Sequence, residues 1–276
     1  MDPITNYSGR KTLDGRSILS SIFVYLFIFL FVALTVWSFL GLIPDLANIR
    51  NGSDGVKRFV GPMIPQSAAN WRDDFSILLT LKIALYSTIQ MAVAGTVVGA
   101  LFAFPASFFA ARTGIIPRPV SGGIKSVFNI GRSVPTIIVA LIVVGCVGLG
   151  DAAGAITLAL VTFVTLTKLF AEALETVNPG PIEAVKAVGG NSASVFVYGM
   201  IPQVFPVYVS TALYSLEMNL QSSFIIGLVG AGGLGAELMN DVRVYNLQAV
   251  GLIVFIMIVG VNLVDYISYR LRRVFA

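Results

Sequence analysis

Long apolar runs separated by short polar clusters set the pattern of this chain. A helix needs about 20 predominantly apolar residues to cross a bilayer. Six stretches reach that length, at roughly 18–43, 76–111, 126–149, 152–177, 203–229 and 248–269. The second is over-long, which predicts a helix that tilts or extends into water. The first exceeds a signal-peptide core and has no small-residue cleavage site after it, so it reads as an anchor behind a tail of residues 1–17. No period-two alternation runs through these stretches, so a β-barrel is not supported. Residues 44–75, with Pro44, Gly52, Gly55, Gly61, Pro62, Pro65 and Trp71, read as a polar loop too short for a domain. No internal repeat is visible. The pattern predicts an all-α integral membrane protein with six spans in a single domain over residues 18–276.

Composition agrees with the pattern and narrows the chemistry. Of the 276 residues, 56% are hydrophobic and 12% charged, whereas a soluble domain carries about 25% charged residues. There is no His, and Cys146 is the only Cys; neither a disulfide framework nor a Cys/His zinc site can be built. No metal or other cofactor is expected. The net charge of +4 comes from basic residues flanking apolar runs, which fits the cytoplasmic positive bias better than nucleic-acid binding. With the N-terminus inside, Arg10, Lys11, Arg16, Arg112, Arg118, Lys125, Lys186, Arg270, Arg272 and Arg273 fall in the cytoplasm. Arg50, Lys57, Arg58, Arg72 and Arg243 fall outside. Both termini are therefore expected in the cytoplasm.

Ionisable residues within spans are costly and each needs a reason. Lys82 lies near the outer end of its helix, where it can snorkel. Asp265 lies near a cytoplasmic end, within reach of Arg270, Arg272 or water. Lys168 and Glu172 are spaced as an i,i+4 pair, with Glu175 a further turn on. Arg132 opens Arg132-Ser133-Val134-Pro135-Thr136, where Pro135 frees a carbonyl and two hydroxyls stand nearby. Glu217 sits mid-span beside Asn219, Gln221 and Ser222. Two readings stay open: an Arg132–Glu217 pair that holds two helices together, or a polar path wall in which Arg132, Ser133, Thr136, Glu217 and Asn219 meet an anion.

Gly230-Ala231-Gly232-Gly233-Leu234-Gly235 fits G-x-G-x-x-G letter for letter. A dinucleotide site needs a strand before it, and here a membrane span precedes it. Its glycines predict a tight turn at the outer side, either a plain connection or an outer gate formed by Gly230, Gly232, Gly233 and Gly235. No P-loop occurs, since the chain contains no Gly-Lys pair. Gly95 and Gly99, with Ala103 one repeat on, form a small-residue stripe that lets helices pack closely.

Between the fourth and fifth spans the chain breaks at Asn178-Pro179-Gly180-Pro181. A short amphipathic helix is predicted over 182–188, with Ile182, Val185 and Val188 on one side; Gly189-Gly190 stops it, and Asn191 or Ser192 caps the next helix. Glu183-Ala184-Val185-x-x-x-Gly189, followed by Ile201-Pro202, resembles the EAA loop of binding-protein-dependent, MetI-like type I ABC importer permeases. Val185, Gly199 and Ile201 depart from that pattern but leave the turn and the proline in place. The resemblance implies that residues 178–202 insert a coupling helix into a separate ATPase subunit, with Glu183, Ala184, Gly189 and Pro202 at the contact.

A fuller resemblance covers roughly residues 125–270. Arg132-Ser133-Val134-Pro135-Thr136, Lys168-Leu169-Phe170-Ala171-Glu172-Ala173, Ile201-Pro202-Gln203-Val204-Phe205-Pro206, Leu213-Tyr214, Glu217-x-Asn219 and the run Gly227 to Gly235 are together similar to permeases of phosphonate importers, the PhnE type. Gln221 stands where that family leads one to expect a basic residue. The resemblance implies a six-span permease of a bacterial inner membrane that carries phosphonate, phosphite or phosphate. Its implied partners are an ATP-binding subunit dimer, an extracytoplasmic solute-binding protein and a second permease, identical or similar. The permease would have no enzymatic activity of its own. A permease of the same family for another small solute, a secondary transporter working without an ATPase, and a membrane enzyme are the alternatives. The last wants a cluster of catalytic groups at one membrane face, and here the interfacial acids are scattered.

Overall fold

The computed structural model describes residues 15–48, 52–64, 75–112 and 117–275. The chain separates into two units, Met1–Phe59 and Val60–Ala276. The first contains α1 (Gly15–Asn48), whose apolar window is Phe23–Leu40, and most of α2 (Gly52–Val60). The stretch read as a loop over 44–75 thus contains helix, followed in the second unit by a 3-10 turn at Gly61–Met63. Most of the tail 1–17, with Arg10 and Lys11, lies outside the described residues, as do Arg50, Pro65, Trp71 and Arg72.

The second unit is a helical bundle in the order α3 (Phe75–Ala110), α4 (Arg118–Arg132), α5 (Thr136–Val147), α6 (Asp151–Glu175), α7 (Pro179–Ala187), α8 (Ser192–Gly227), α9 (Gly233–Arg243) and α10 (Leu247–Phe275). No strand occurs among the described residues. Among the described residues, five helices, counting α1 of the first unit, are long and apolar enough to cross a membrane, and six if α4 and α5 count together. Those two meet at 86°, so the third predicted stretch, read as one straight span, is sharply broken. Pro135 explains the break: it supplies no N–H to continue α4 and disfavours helical geometry in the residue before it.

The central contact is α3 against α6, and the predicted small-residue stripe makes it. A Cβ on Gly95 would stand 3.2 Å from the Ala159 nitrogen, and one on Gly99 2.9 Å from the Ala159 oxygen. Ala103 is fully buried on the same face. Without an apolar side chain between them the backbones approach closely, which is how helices associate where lipid removes the hydrophobic drive. Towards the α7 end, Ala103, Leu166, Phe170, Met200, Val204 and Tyr208 form one core cluster. Phe170 and Tyr208 stack at 4.0 Å, and the Tyr208 hydroxyl donates to the Phe170 carbonyl at 3.1 Å. At the opposite end, Leu81, Ala92, Leu220, Phe224, Leu234 and Ile253 join α3, α8, α9 and α10.

Candidate functional site

Three groups of predicted site residues occupy three levels of the bundle. At one end, α7 forms a short knob between two turns. The Asn178 side chain accepts from the Gly180 N–H at 2.9 Å and caps the helix, and Pro179 and Pro181 occupy its first turn, where the missing N–H costs nothing. Gly189 closes it at φ +83°, a left-handed conformation suited to glycine. Asn191, not Ser192, caps the next helix, accepting from the Ser194 N–H at 2.8 Å. Ile182 packs against Gly199, where a Cβ would stand 3.2 Å from the Ile182 Cα. The amide of Gln203 ties the knob down: its oxygen accepts from the Asn178 N–H at 3.1 Å, and its nitrogen donates to the Gly199 carbonyl at 2.6 Å. Glu183, Ala184, Gly189 and Pro202 are exposed around this anchored base. Val188, expected on the packed side with Ile182 and Val185, is 85% exposed, because the helix ends at Ala187 and the turn swings it outward. Just before Pro202 the backbone takes a π turn over Val195–Met200, an irregularity typical of functional positions.

At the middle level the α4–α5 break opens a recess of about 430 Å³ against α6. Arg132, Ser133 and Thr136 line it from the break, and Val161, Val164 and Thr165 from α6. Arg132 is exposed and makes no ion pair among the described residues. The Ser133 hydroxyl donates back to the Asn129 carbonyl at 3.2 Å. Pro135 precedes α5 without a side-chain cap, and the Thr136 and Ile137 N–H groups at the helix start meet no carbonyl among the described residues.

Glu217 and Asn219 do not join this recess. Glu217 accepts from the Arg272 guanidinium at 2.9 Å, so the expected Arg132–Glu217 pair is corrected. Arg272 lies in the last turn of α10, beside the start of the basic C-terminal run, and its long side chain reaches α8. Asn219 is buried and donates to the hydroxyls of Thr96 at 2.8 Å and Thr162 at 2.7 Å, joining α8, α3 and α6 through one amide. The expected meeting of Asp265 with Arg270 or Arg272 is also absent. Arg270 donates to the Tyr266 hydroxyl, Arg272 to Glu217 and the Ser268 carbonyl, and the Asp265 Oδ1 is buried without a partner among the described residues. Lys168 and Glu172 do pair, at 3.8 Å. Glu175 instead binds Lys125 at 2.9 Å and the Arg112 N–H at 3.0 Å, tying α6 to α4 and to the end of α3.

At the far end the glycine run is a packed knot. Gly230, Gly232 and Gly233 have φ of +94°, +83° and +68°. Asp151 at the start of α6 accepts from the Gly233 N–H at 3.1 Å and from the Ser87 hydroxyl, and Thr88 accepts from the Leu234 N–H at 2.8 Å. A Cβ on Gly232 would collide with the Asp151 carboxylate, and one on Gly235 with the Phe224 carbonyl. The adjoining turn is held by the Asn246 amide donating to Asp241; burial pushes the Asp241 carboxyl above its ordinary range, and that hydrogen bond opposes the shift. Sequence reasoning missed Ser87, Thr88 and Asp151. Asp151 carried a signal, an acid opening a helix directly after Gly148 and Gly150, but its partners come from distant segments. No group of His, Cys, Asp and Glu fit to hold a metal occurs among the described residues.

Comparison with known proteins adds a lineage to this geometry. Residues 103–275 match the family described as "Binding-protein-dependent transport system inner membrane component". A relative from Stutzerimonas stutzeri, named phosphite transport system permease protein PtxC, is 34% identical over 90% of this chain and 87% of its own length. Another from Mycolicibacterium smegmatis, named phosphate-import permease protein PhnE, is 35% identical over 68% of this chain, a match spanning 36% of that longer protein. Among solved structures, an inward-facing MetNI methionine ABC transporter superposes with a TM-score of 0.66 at 22% identity, covering 73% of this chain and 99% of the other. An amino acid ABC transporter gives 0.62 at 16%, covering 76% and 99%. These likenesses assign the fold as that of ABC importer permeases of the MetI type.

Proposed function

The chain belongs to the binding-protein-dependent transport system inner membrane component family and is a permease subunit of an importer; from that premise we propose that it carries phosphonate or a related phosphorus oxyanion, phosphite or phosphate, across a bacterial inner membrane at the expense of ATP hydrolysed by a partner. Both termini face the cytoplasm, two ATP-binding subunits seat α7, a second permease completes the path, and an extracytoplasmic binding protein delivers the solute. The observation that carries the reading is the knob at α7, capped by Asn178, ended by Gly189 and fastened to α8 by Gln203, with Glu183 and Ala184 outward. A short rigid helix held at its base transmits displacement of a bound partner into α8 as a rigid-body motion.

Arg132, Ser133 and Thr136 meet the anion at the α4–α5 break. An unpaired guanidinium beside the open N-terminal turn of a helix attracts oxyanions, and a solute in transit must be held weakly enough to leave. The run from Gly230 to Gly235 forms the outer gate. Glu217 and Asn219 act on the path through the helices they join. The test is co-purification: Gly189→Glu, which strains the turn after α7, is expected to lose the ATPase subunit while the permease still folds. Full retention of the ATPase by that variant and by Ala184→Arg would overturn the coupling role.

A further inference from the structure

We propose that the exposed face of the last turns of α10 binds the headgroup of an anionic phospholipid of the phosphatidylglycerol kind, with the acyl chains against the apolar stripe that precedes it. The proposal is independent of the solute carried. Tyr266, Tyr269, Arg270 and Arg273 are spaced i, i+3, i+4 and i+7, which places them on one helix face, and all four are exposed. The opposite face is committed to the bundle. Ser268 is buried there, and Arg272 binds Glu217 of α8. The nearest acid in sequence, Asp265, shares that packed face by the same spacing. One guanidinium thus ties two helices, while two stand on the outward side.

Both outward guanidiniums are held against aromatic rings. The Arg270 Cζ lies 5.3 Å from the Tyr266 ring centroid, and the Arg273 Cζ 4.7 Å from that of Tyr269. Arg270 also donates to the Tyr266 hydroxyl, at 3.2 Å from Nε and 2.9 Å from Nη2. Neither arginine forms an ion pair among the described residues. A guanidinium carries five N–H donors in a planar fork, so each keeps donors for an oxyanion, and a fork already fixed on a ring loses less entropy on binding. Two such groups one turn apart suit the unesterified oxygens of a phosphodiester. Their level is that of headgroups. The span in α10, Leu247–Arg273, has 27 residues, about 40 Å of helix against a hydrocarbon core of about 30 Å, and tyrosines favour the interface where it ends. Phe255, Val259 and Leu263 are exposed on the same face and lead into the Tyr–Arg pairs. Acyl chains fit that stripe, whereas a free anion makes no use of it. A choline headgroup would bring a positive charge towards two guanidiniums on a face without a carboxylate, which repels it.

Native mass spectrometry of the permease assembled with its ATPase subunits measures binding of phosphatidylglycerol and phosphatidylcholine, and the same spectra report whether the subunits stay together. Phosphatidylglycerol is expected to bind roughly tenfold more tightly, the preference that two guanidiniums at a membrane surface give. Arg270→Gln combined with Arg273→Gln is expected to bring that ratio close to one. Arg270→Lys combined with Arg273→Lys keeps both charges without the planar fork, and is expected to lower the ratio several-fold. Equal binding of the two lipids by the unaltered complex overturns the proposal, as does a preference that survives the Gln pair. An undiminished preference in the Lys pair reduces the face to plain charge and overturns the built headgroup site. Excess inorganic phosphate at constant ionic strength is expected to leave phosphatidylglycerol bound; its displacement would assign the face to a free anion. Loss of an ATPase subunit or of the second permease from the Gln pair would assign the face to a protein contact and equally overturn the lipid site.

Discussion

Asn219 donates to Thr96 and Thr162 at the centre of the bundle, and its amide decides how α3, α6 and α8 register on one another. Asn219→Leu removes both bonds and leaves the Thr162 hydroxyl without a partner among the described residues, while the Thr96 hydroxyl keeps its bond to the Ala92 carbonyl, so unfolding in detergent is expected to show a loss of about 1 kcal/mol; an unchanged transition would mean the links carry no energy. The ion pair is equally open to test. A double-mutant cycle on Glu217 and Arg272 is expected to give a coupling of roughly 0.5–1 kcal/mol, the range for a partly exposed pair. The same cycle on Glu217 and Arg132 is expected to give none, and the reverse result would restore the pair that was one of the two readings of these charges. At this scale the sequence was legible where a residue's partner is local. The Lys168–Glu172 pair, the Asn191 cap and the Gly189 stop follow from neighbours along the chain. The pairing of Glu217 with Arg132 was misread because the actual partner, Arg272, is 55 positions away, and nothing in the local run points to it.

The small-residue stripe on α3 was readable because its period of four is a property of one helix, and the structure places it against Ala159 and Thr162. The break in the third apolar stretch was readable only as a freed carbonyl at Pro135; its 86° angle depends on how α4 packs beside α6, through contacts such as Lys125 with Glu175. The glycine knot was visible as a turn, but its tightness was not, because Asp151, Ser87 and Thr88 arrive from other elements. Gly232→Ala and Gly233→Ala place a side chain at φ +83° and +68° against the Asp151 carboxylate and the Thr88 hydroxyl. Each is expected to lower stability by about 1–3 kcal/mol, measured by thermal unfolding. Each is also expected to reduce uptake in reconstituted vesicles; normal uptake with a destabilised fold would make the knot structural alone.

For the whole molecule the account comes down to one claim, that ATP hydrolysed in a separate subunit reaches this bundle through α7. The family match and the MetI-type fold supply the setting, and the knob fastened by Gln203 is the contact proposed above. The chain's architecture followed from its apolar pattern, whereas the assembly around it required the resemblance at Glu183, Ala184, Gly189 and Pro202, since no physical pattern within one chain specifies a partner's groove. The most direct measurement is uptake of a phosphorus oxyanion into vesicles containing the permease with or without the ATPase subunits, the binding protein and ATP supplied on their respective sides. The account predicts accumulation against a gradient only when the ATPase is present, abolished by Ala184→Arg; accumulation by this chain alone would contradict it.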